Sequence, residues 1–333
     1  MTTAALDTET PPRVSVLVPT YRRVARLEQC LEGVARQQPR PDEVLVVHRI
    51  DDEETGEFLR GWTARDPVGH RAVAVDTAGI VPALREGIDA AAGDVIAFLD
   101  DDAVPRAGWL EEIRRGFAEA TVGGVGGRFV DHVDGRERTG HTRRVGRITW
   151  YGRVIGRHDR DTDYHGDVEV LPGANMAFRR PLVHMDGRLL HTANGLALAN
   201  ELDACLTVCR LGHRLVFTPQ AVVDHYTTSY RDPRLGSRVA GDDIVTSAAN
   251  YTYTLMKYLP APRRPAFLLY AYLLGSSMLP GPGRALAELA ASPRRAWAMA
   301  QRIGPTWRGR ATGISMYRTW RREGRPFTAP RHS

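Results

Sequence analysis

Residues 94–102 read Asp94-Val-Ile-Ala-Phe-Leu-Asp-Asp-Asp102, and the fold turns on them. The apolar run in 94–99 has the length of a strand buried on both faces. It runs straight into three adjacent carboxylates. Like charges side by side repel, so a strand end gains nothing from them unless a cation is near. In extended backbone, residues i and i+2 point the same way. Asp100 and Asp102 can therefore converge on one ion while Asp101 points elsewhere. Hard oxygen ligands at that spacing suit Mg²⁺ or Mn²⁺, with water and phosphate filling the other positions. The plain alternative is a solvated acidic turn.

The flanking sequence supports the cation. Apolar runs at 14–19 (Val-Ser-Val-Leu-Val-Pro), 43–47 and 71–75 read as strands. Helical spacing marks 22–36, 55–65, 81–92 and 108–119. Strands alternating with helices of this length predict βαβ units and an α/β fold, a mainly parallel sheet flanked by helices. In such sheets ligands bind beyond the carboxyl ends of strands, where the three aspartates fall. The alternation fails after about residue 125. Gly123, Gly124, Gly126 and Gly127 mark a strand or turn where backbone packs closely. Residues 131–167 read as an irregular insert, and 168–178 resume a strand-like pattern. A helix is expected over 199–211, ended by Gly212, then a strand over 214–217.

Other polar residues stand at informative places. Glu201 and Asp203 fall early on the helix 199–211, where an acid interacts favourably with the helix dipole. Either could instead be a general base held by a rigid element. His225 closes the run Ala221-Val-Val-Asp-His, as a structural histidine or as a nitrogen ligand to the same ion. Gly173-Ala174-Asn175 opens either a tight turn or a floor where a polar ligand meets backbone.

Taken together, these residues resemble the inverting nucleotide-sugar glycosyltransferases of family 2, with the GT-A (Rossmann-like) fold. The resemblance covers about residues 13–228. Val14-Ser-Val-Leu-Val-Pro-Thr-Tyr-Arg22 is similar to the family's opening strand and nucleotide loop. Phe98-Leu-Asp-Asp-Asp102 resembles its DxD metal motif. Gly173-Ala-Asn-Met-Ala-Phe-Arg-Arg180 is similar to its acceptor-side segment, and Pro219 to His225 to its closing Pro-x-Ala-x-Val-x-His. The resemblance implies that Pro19, Thr20, Tyr21, Arg22, Arg85, Asp100 and Asp101 bind the donor. Asp51 or Asp52 would read the base, because His48-Arg-Ile-Asp-Asp-Glu53 replaces the common Asp-Asp-Gly-Ser. Asp100, Asp102 and His225 would hold Mg²⁺ or Mn²⁺. Asn200-Glu201 stands where the family has Glu-Asp, so Glu201 is the implied base, with Asp203 the alternative. Gly173, Ala174, Asn175 and Trp150 would face the acceptor. The implied reaction moves a sugar from a nucleoside-diphosphate sugar to a saccharide, lipid-linked or small-molecule acceptor, with inversion. Cell-surface polysaccharide, glycolipid and natural-product glycoside synthesis all fit.

Composition sets the outer limits. The chain has 333 residues, 43% hydrophobic and 25% charged, which excludes wholesale disorder. The domain boundary is expected near 230: a catalytic domain at 13–230, then an extension at 231–333. The extension holds 17 Arg and Lys against 5 Asp and Glu, while the rest of the chain is mildly acidic. Lys257 is the only lysine among 45 basic residues. Helices are expected at 244–258 and 265–279. The apolar stretch from Ala266 to Leu279 is too short for the ~20 residues of a spanning helix. With Arg263, Arg264 and Arg284 at its ends, it suits an interfacial helix on a membrane surface, or one packed on the body or on a second copy in a homodimer. Met1 to Pro12 lacks the apolar core of a signal peptide. Three cysteines build no disulfide framework. The expected location is cytoplasmic, with peripheral contact to the inner face of the cell membrane. No nucleic-acid module is present, and nucleic acid is not an expected partner. A nucleotidyltransferase would want a Gly-rich loop after the first strand, and Pro19-Thr-Tyr-Arg-Arg23 has none. A catalytically silent sugar-nucleotide or partner-binding module on the same fold is the competing reading.

Overall fold

The computed structural model describes residues 11–62, 69–133, 136–137, 140–226 and 241–324. The first half alternates as expected: β1 (Val14–Thr20), α1 (Val24–Ala35), β2 (Glu43–Arg49), α2 (Glu53–Trp62), β3 (His70–Val75), α3 (Ile80–Ala90) and β4 (Val95–Leu99). Then come β5 (Ala103–Pro105), α4 (Trp109–Gly116), β6 (Val122–Val133), β7 (Arg136–Glu137), β8 (Arg147–Ile148), β9 (Val154–Ile155), β10 (Gly166–Val168) and β11 (Asn175–Arg179). Helix α5 (Asn200–Arg210) and β12 (Arg214–His225) complete this part. The extension supplies α6 (Gly241–Tyr258), α7 (Arg264–Leu273), α8 (Pro282–Leu289) and α9 (Pro293–Arg322).

The main sheet runs β10-β12-β6-β11-β4-β1-β2-β3. The half β3-β2-β1-β4 is parallel, as is the β6–β12 pair. Strand β11 is antiparallel to both β4 and β6, so the sheet is mixed and mostly parallel. Period-two alternation divides its core. Leu17, Ile96 and Phe98 face one side, and Val16, Val18, Ala97 and Leu99 face the other. Helices α1, α2 and α4 cover the second side through Leu27, Leu31, Leu59 and Leu110. The glycines of β6 serve close approach: a Cβ on Gly127 would lie 1.8 Å from the Ala221 carbonyl oxygen of β12. Strand β12 continues past the expected 217 to His225, because its far end pairs with β5 as well as β6.

The extension shares the core of the sheet. Tyr253, Leu255, Met256, Phe267, Ala271 and Tyr317 pack in the same cluster as Leu17, Phe98 and Phe178. Two features differ from expectation. Helix α7 stops at Leu273 rather than 279, because Gly275 turns the chain back at φ +63° and a Cβ there would meet the Leu279 carbonyl at 2.1 Å. Helix α9 is the longest element described and was not expected. Its apolar residues form no single stripe, and Gly304, Pro305, Gly309 and Gly313 read as helix breakers. Gly309 and Gly313 instead let α9 lie against α6, where a Cβ would come within 2.3 and 2.4 Å of the Val245 and Ala249 carbonyls. No described helix is long and apolar enough to cross a membrane.

Candidate active site

The site is built where β4 ends. The chain turns over Asp100–Asp102, with Ala103 N–H donating to the Asp100 carbonyl at 3.0 Å, and re-enters as β5. Strand β5 pairs with β12 in a register that sets Ala103 opposite His225. The β6–β12 register sets His225 opposite Asp131. Sheet pairing alone thus carries an imidazole from residue 225 to the carboxylates at 100–102. His225 Nε2 lies 3.3 Å from Asp102 Oδ1 and 3.9 Å from Asp100 Oδ2. Its Nδ1 faces Asp131 Oδ1 at 3.5 Å.

Asp101 does point elsewhere. It accepts from Thr20 Oγ1 at 2.7 Å and from Arg23 at 2.5 Å. Arg23 also donates to Asp102 at 2.5 Å, so one guanidinium spans both carboxylates. Burial pushes Asp101 up to about 7, against the pull of Arg23. Burial would also raise Asp102, but the hydrogen bond and charge of His225, with Arg23, hold it down at about 2. For His225 burial works downward, and Asp102, Asp131 and Asp100 outweigh it to bring the ring up to about 10. Asp100, Asp102 and His225 offer ligand atoms within 4.8 Å of one another. Two carboxylates and an oriented imidazole are a donor set that fits a hard or borderline divalent cation.

These groups open into a cleft of about 1460 Å³. Pro19, Thr20, Tyr21 and Arg22 line it beside the acidic turn. Arg22 holds a left-handed backbone at φ 55°, pinned by its N–H to Asp52 at 2.5 Å. The Tyr21 ring lies between the guanidiniums of Arg22 and Arg49, at 4.9 and 5.0 Å. Gly173, Ala174 and Glu201 also line it. Glu201 sits in the first turn of α5, and a Cβ on Gly173 would approach its side chain at 3.8 Å. Burial pushes the Glu201 carboxyl up to about 7; its own amide opposes this and Asp100 adds to it.

Six expected site residues do not join this group. Asp52 is buried and accepts from Thr55 N–H and Oγ1, so it caps α2 as well as holding Arg22. Asp51 pairs with Arg49 at 2.7 Å, outside the cleft lining. Arg85 is exposed on α3 and lines no part of the cleft. Asn175 is a buried strut: it accepts from Trp109 Nε1 and donates to the carbonyls of Arg128 and Ala221. Trp150 is exposed on the surface. Asp203, on the buried side of α5, lies 3.0 Å from Lys257 Nζ. The expected set also lacks several contributors. Arg23 directly follows the quoted loop and could have been read from it. Asp131, Tyr251, Tyr270 and Arg310 reach the site only through sheet register and the packing of the extension.

A GT-A sheet with an acidic turn at the end of its fourth strand and a further carboxylate lining the same cleft defines a nucleotide-sugar transferase architecture. Residues 15–185 match the model of glycosyl transferase family 2, just over half the chain, and the protein belongs to that family. It is 28% identical over 155 residues to a pre-mycofactocin glycosyltransferase of Mycobacterium tuberculosis, covering 46% of this chain and 32% of that protein. It is 34% identical over 130 residues to glycosyltransferase AglE of Haloferax volcanii, covering 38% of this chain and 40% of that one. The chain thus spans a third to two fifths of these relatives. A mannosyltransferase of Pyrobaculum calidifontis, solved with GDP-Man and Mn²⁺, superposes with TM-score 0.55 over 97% of this chain and 90% of its own, at 20% identity, and so shares the fold.

Proposed function

We propose that the protein transfers a sugar from a nucleoside-diphosphate sugar to an acceptor hydroxyl, in one displacement with inversion. The observation that carries this is the pairing within one cleft. Asp100, Asp102 and His225 line the same cleft as the upshifted carboxyl of Glu201, and Asp100 acts on that carboxyl electrostatically. Asp100, Asp102 and His225 would hold Mg²⁺ or Mn²⁺, which supplies charge neutralisation at the leaving diphosphate. Tyr21, flanked by Arg22 and Arg49, offers an aromatic face for the base. Arg23 fixes Asp101 and Asp102 so that the acidic turn is set before the donor arrives. Glu201 takes the acceptor proton as the oxygen attacks the anomeric carbon, through an oxocarbenium-like transition state.

The extension supports a place at a membrane surface. Leu269, Leu273, Leu274, Leu286 and Leu289 of α7, α8 and the turn after α7 are exposed, alongside a basic sequence. A cytoplasmic enzyme at the inner leaflet fits this arrangement.

Calorimetric titration with UDP, GDP, dTDP and ADP, with Mn²⁺ and with chelator, tests the donor site. Metal-dependent binding of one nucleotide, lost in Asp102→Ala, is expected. Binding of none would leave a silent module.

A further inference from the structure

The extension brings a charge into the cleft that nothing described there balances. Arg310, on α9, is only 4% exposed and lines the cleft. One of its nitrogens donates to the Leu279 carbonyl at 3.1 Å, while its Nε is buried without a partner. No carboxylate pairs with it among the described residues. Burial lowers its pKa to about 10, with Tyr270 and Tyr272 opposing, so the side chain is a cation at neutral pH. Two more arginines converge here. Arg153 and Arg284 also line the cleft, and with Arg310 they act on the Tyr270 hydroxyl. Neither of their side chains has a carboxylate partner among the described residues.

Buried charges are normally paired, because an isolated one loses its hydration without return. Buried Arg310, half-buried Arg284 and exposed Arg153 line one cleft, and their guanidiniums offer the donors that several phosphate oxygens accept. The acidic turn at the other end of the cleft would repel a phosphate that carries no metal. Tyr251, from the same extension, stands within electrostatic reach of Glu201, so the extension's wall runs from the candidate base to these arginines. We propose that Arg310, with Arg284 and Arg153, forms a phosphate-binding subsite that receives the phosphate group of the acceptor. This deepens the transferase reading and rests on it for the word acceptor. The phosphate could belong to a lipid carrier or to a soluble sugar phosphate.

Inorganic phosphate is the first probe, titrated against the full chain in EDTA at constant ionic strength, with melting temperature as the readout. The wild type should gain several degrees. Arg284→Gln, at a half-buried position that folding tolerates, should weaken the response about tenfold. Arg310→Met should melt higher than wild type without phosphate and respond to it little or not at all. Asp102→Ala should respond like wild type. An absent response in the wild type, or an intact one in both arginine variants, overturns the subsite. Farnesyl phosphate in phosphatidylcholine vesicles and glucose 6-phosphate then separate the two sources. Whichever binds more tightly than inorganic phosphate names the acceptor class; if neither does, the acceptor assignment fails. Because chelator is present throughout, failure of the nucleotide titration would sink the transferase reading and leave this response standing.

Discussion

Two acidic groups in this molecule are both buried, and they are balanced in opposite ways. At the cleft, Asp100, Asp101, Asp102 and Asp131 gather around Arg23 and His225. On the buried side of α5, Asp203 shares Lys257 with Asp186, at 3.0 and 2.8 Å. Asp186 also accepts from Tyr253 at 2.6 Å and from the Arg188 amide at 3.0 Å. The rings of Tyr253 and Tyr258 flank the ammonium at 5.4 and 4.8 Å. The first group keeps surplus negative charge facing an opening. The second is closed, its two carboxylates turned in on Lys257 and away from the cleft. Carboxylates alone therefore do not mark a site; what distinguishes one is charge left over for a ligand. The chain's only lysine serves the closed group, and it ties the extension to α5, the helix that carries Glu201.

The sharpest break between the two is expected at Glu201. Glu201→Gln keeps size and loses the base, so kcat should fall by up to about 10⁴-fold. Its melting temperature should not fall, since no described side chain relies on the carboxylate. Lys257→Met inverts that pattern. It leaves Asp203 buried without its cation and Asp186 with only Arg188, 3.4 Å away, and urea unfolding should show a loss of about 3–5 kcal/mol. If Lys257→Met were as stable as wild type, the closed group would not be the tie described here.

How legible these groups were follows from how far apart their members lie. The apolar run into Asp100-Asp101-Asp102 is local, so both strand and cluster could be read from nine residues. His225 could be named but not placed, because its position depends on β5 folding back onto β12. The family resemblance put Asp51 or Asp52 at the nucleotide base and Asn175 on the acceptor side. In the fold Asp52 caps a helix and Asn175 braces Trp109. Lys257, Asp186 and Asp203 carry no pattern in sequence. Neither does Arg310, whose burial follows from two glycines that read as helix breakers and act as packing surfaces.

The third test is a pH profile. The Glu201 carboxyl is raised to about 7, by burial first and by Asp100 second. A base works only when ionised, so activity is lost as pH falls through that value. Tyr251, facing it from α6, is itself held far above neutrality by burial and stays uncharged. Below pH 7, log kcat/KM should therefore rise with slope one, tenfold between pH 5 and 6, and flatten above 7. A limb near 4 would mean that Glu201 is solvated in the working enzyme.

The smallest effect separates Glu201 from its neighbour one turn-face away. Asp203 was the alternative base, yet it lies in the closed group, 1% exposed, and no part of it lines the cleft. Burial raises it to about 6, while Lys257 and Tyr258 pull it down. A carboxyl raised in the folded state gives stability that is present below its unfolded value and is lost as pH rises through the folded one. Asp186 has the opposite sign: burial works upward, but Lys257 and Tyr253 hold it at about 2, so its contribution is lost only in strong acid. Asp203→Asn removes the first liability and leaves the Lys257–Asp186 pair in place. At pH 8 its stability should stay within about 1 kcal/mol of wild type, and kcat should fall less than about tenfold, against the far larger loss from a missing base. A loss in kcat equal to that of Glu201→Gln, with stability intact, would return the base to Asp203 and dissolve the distinction between the two groups.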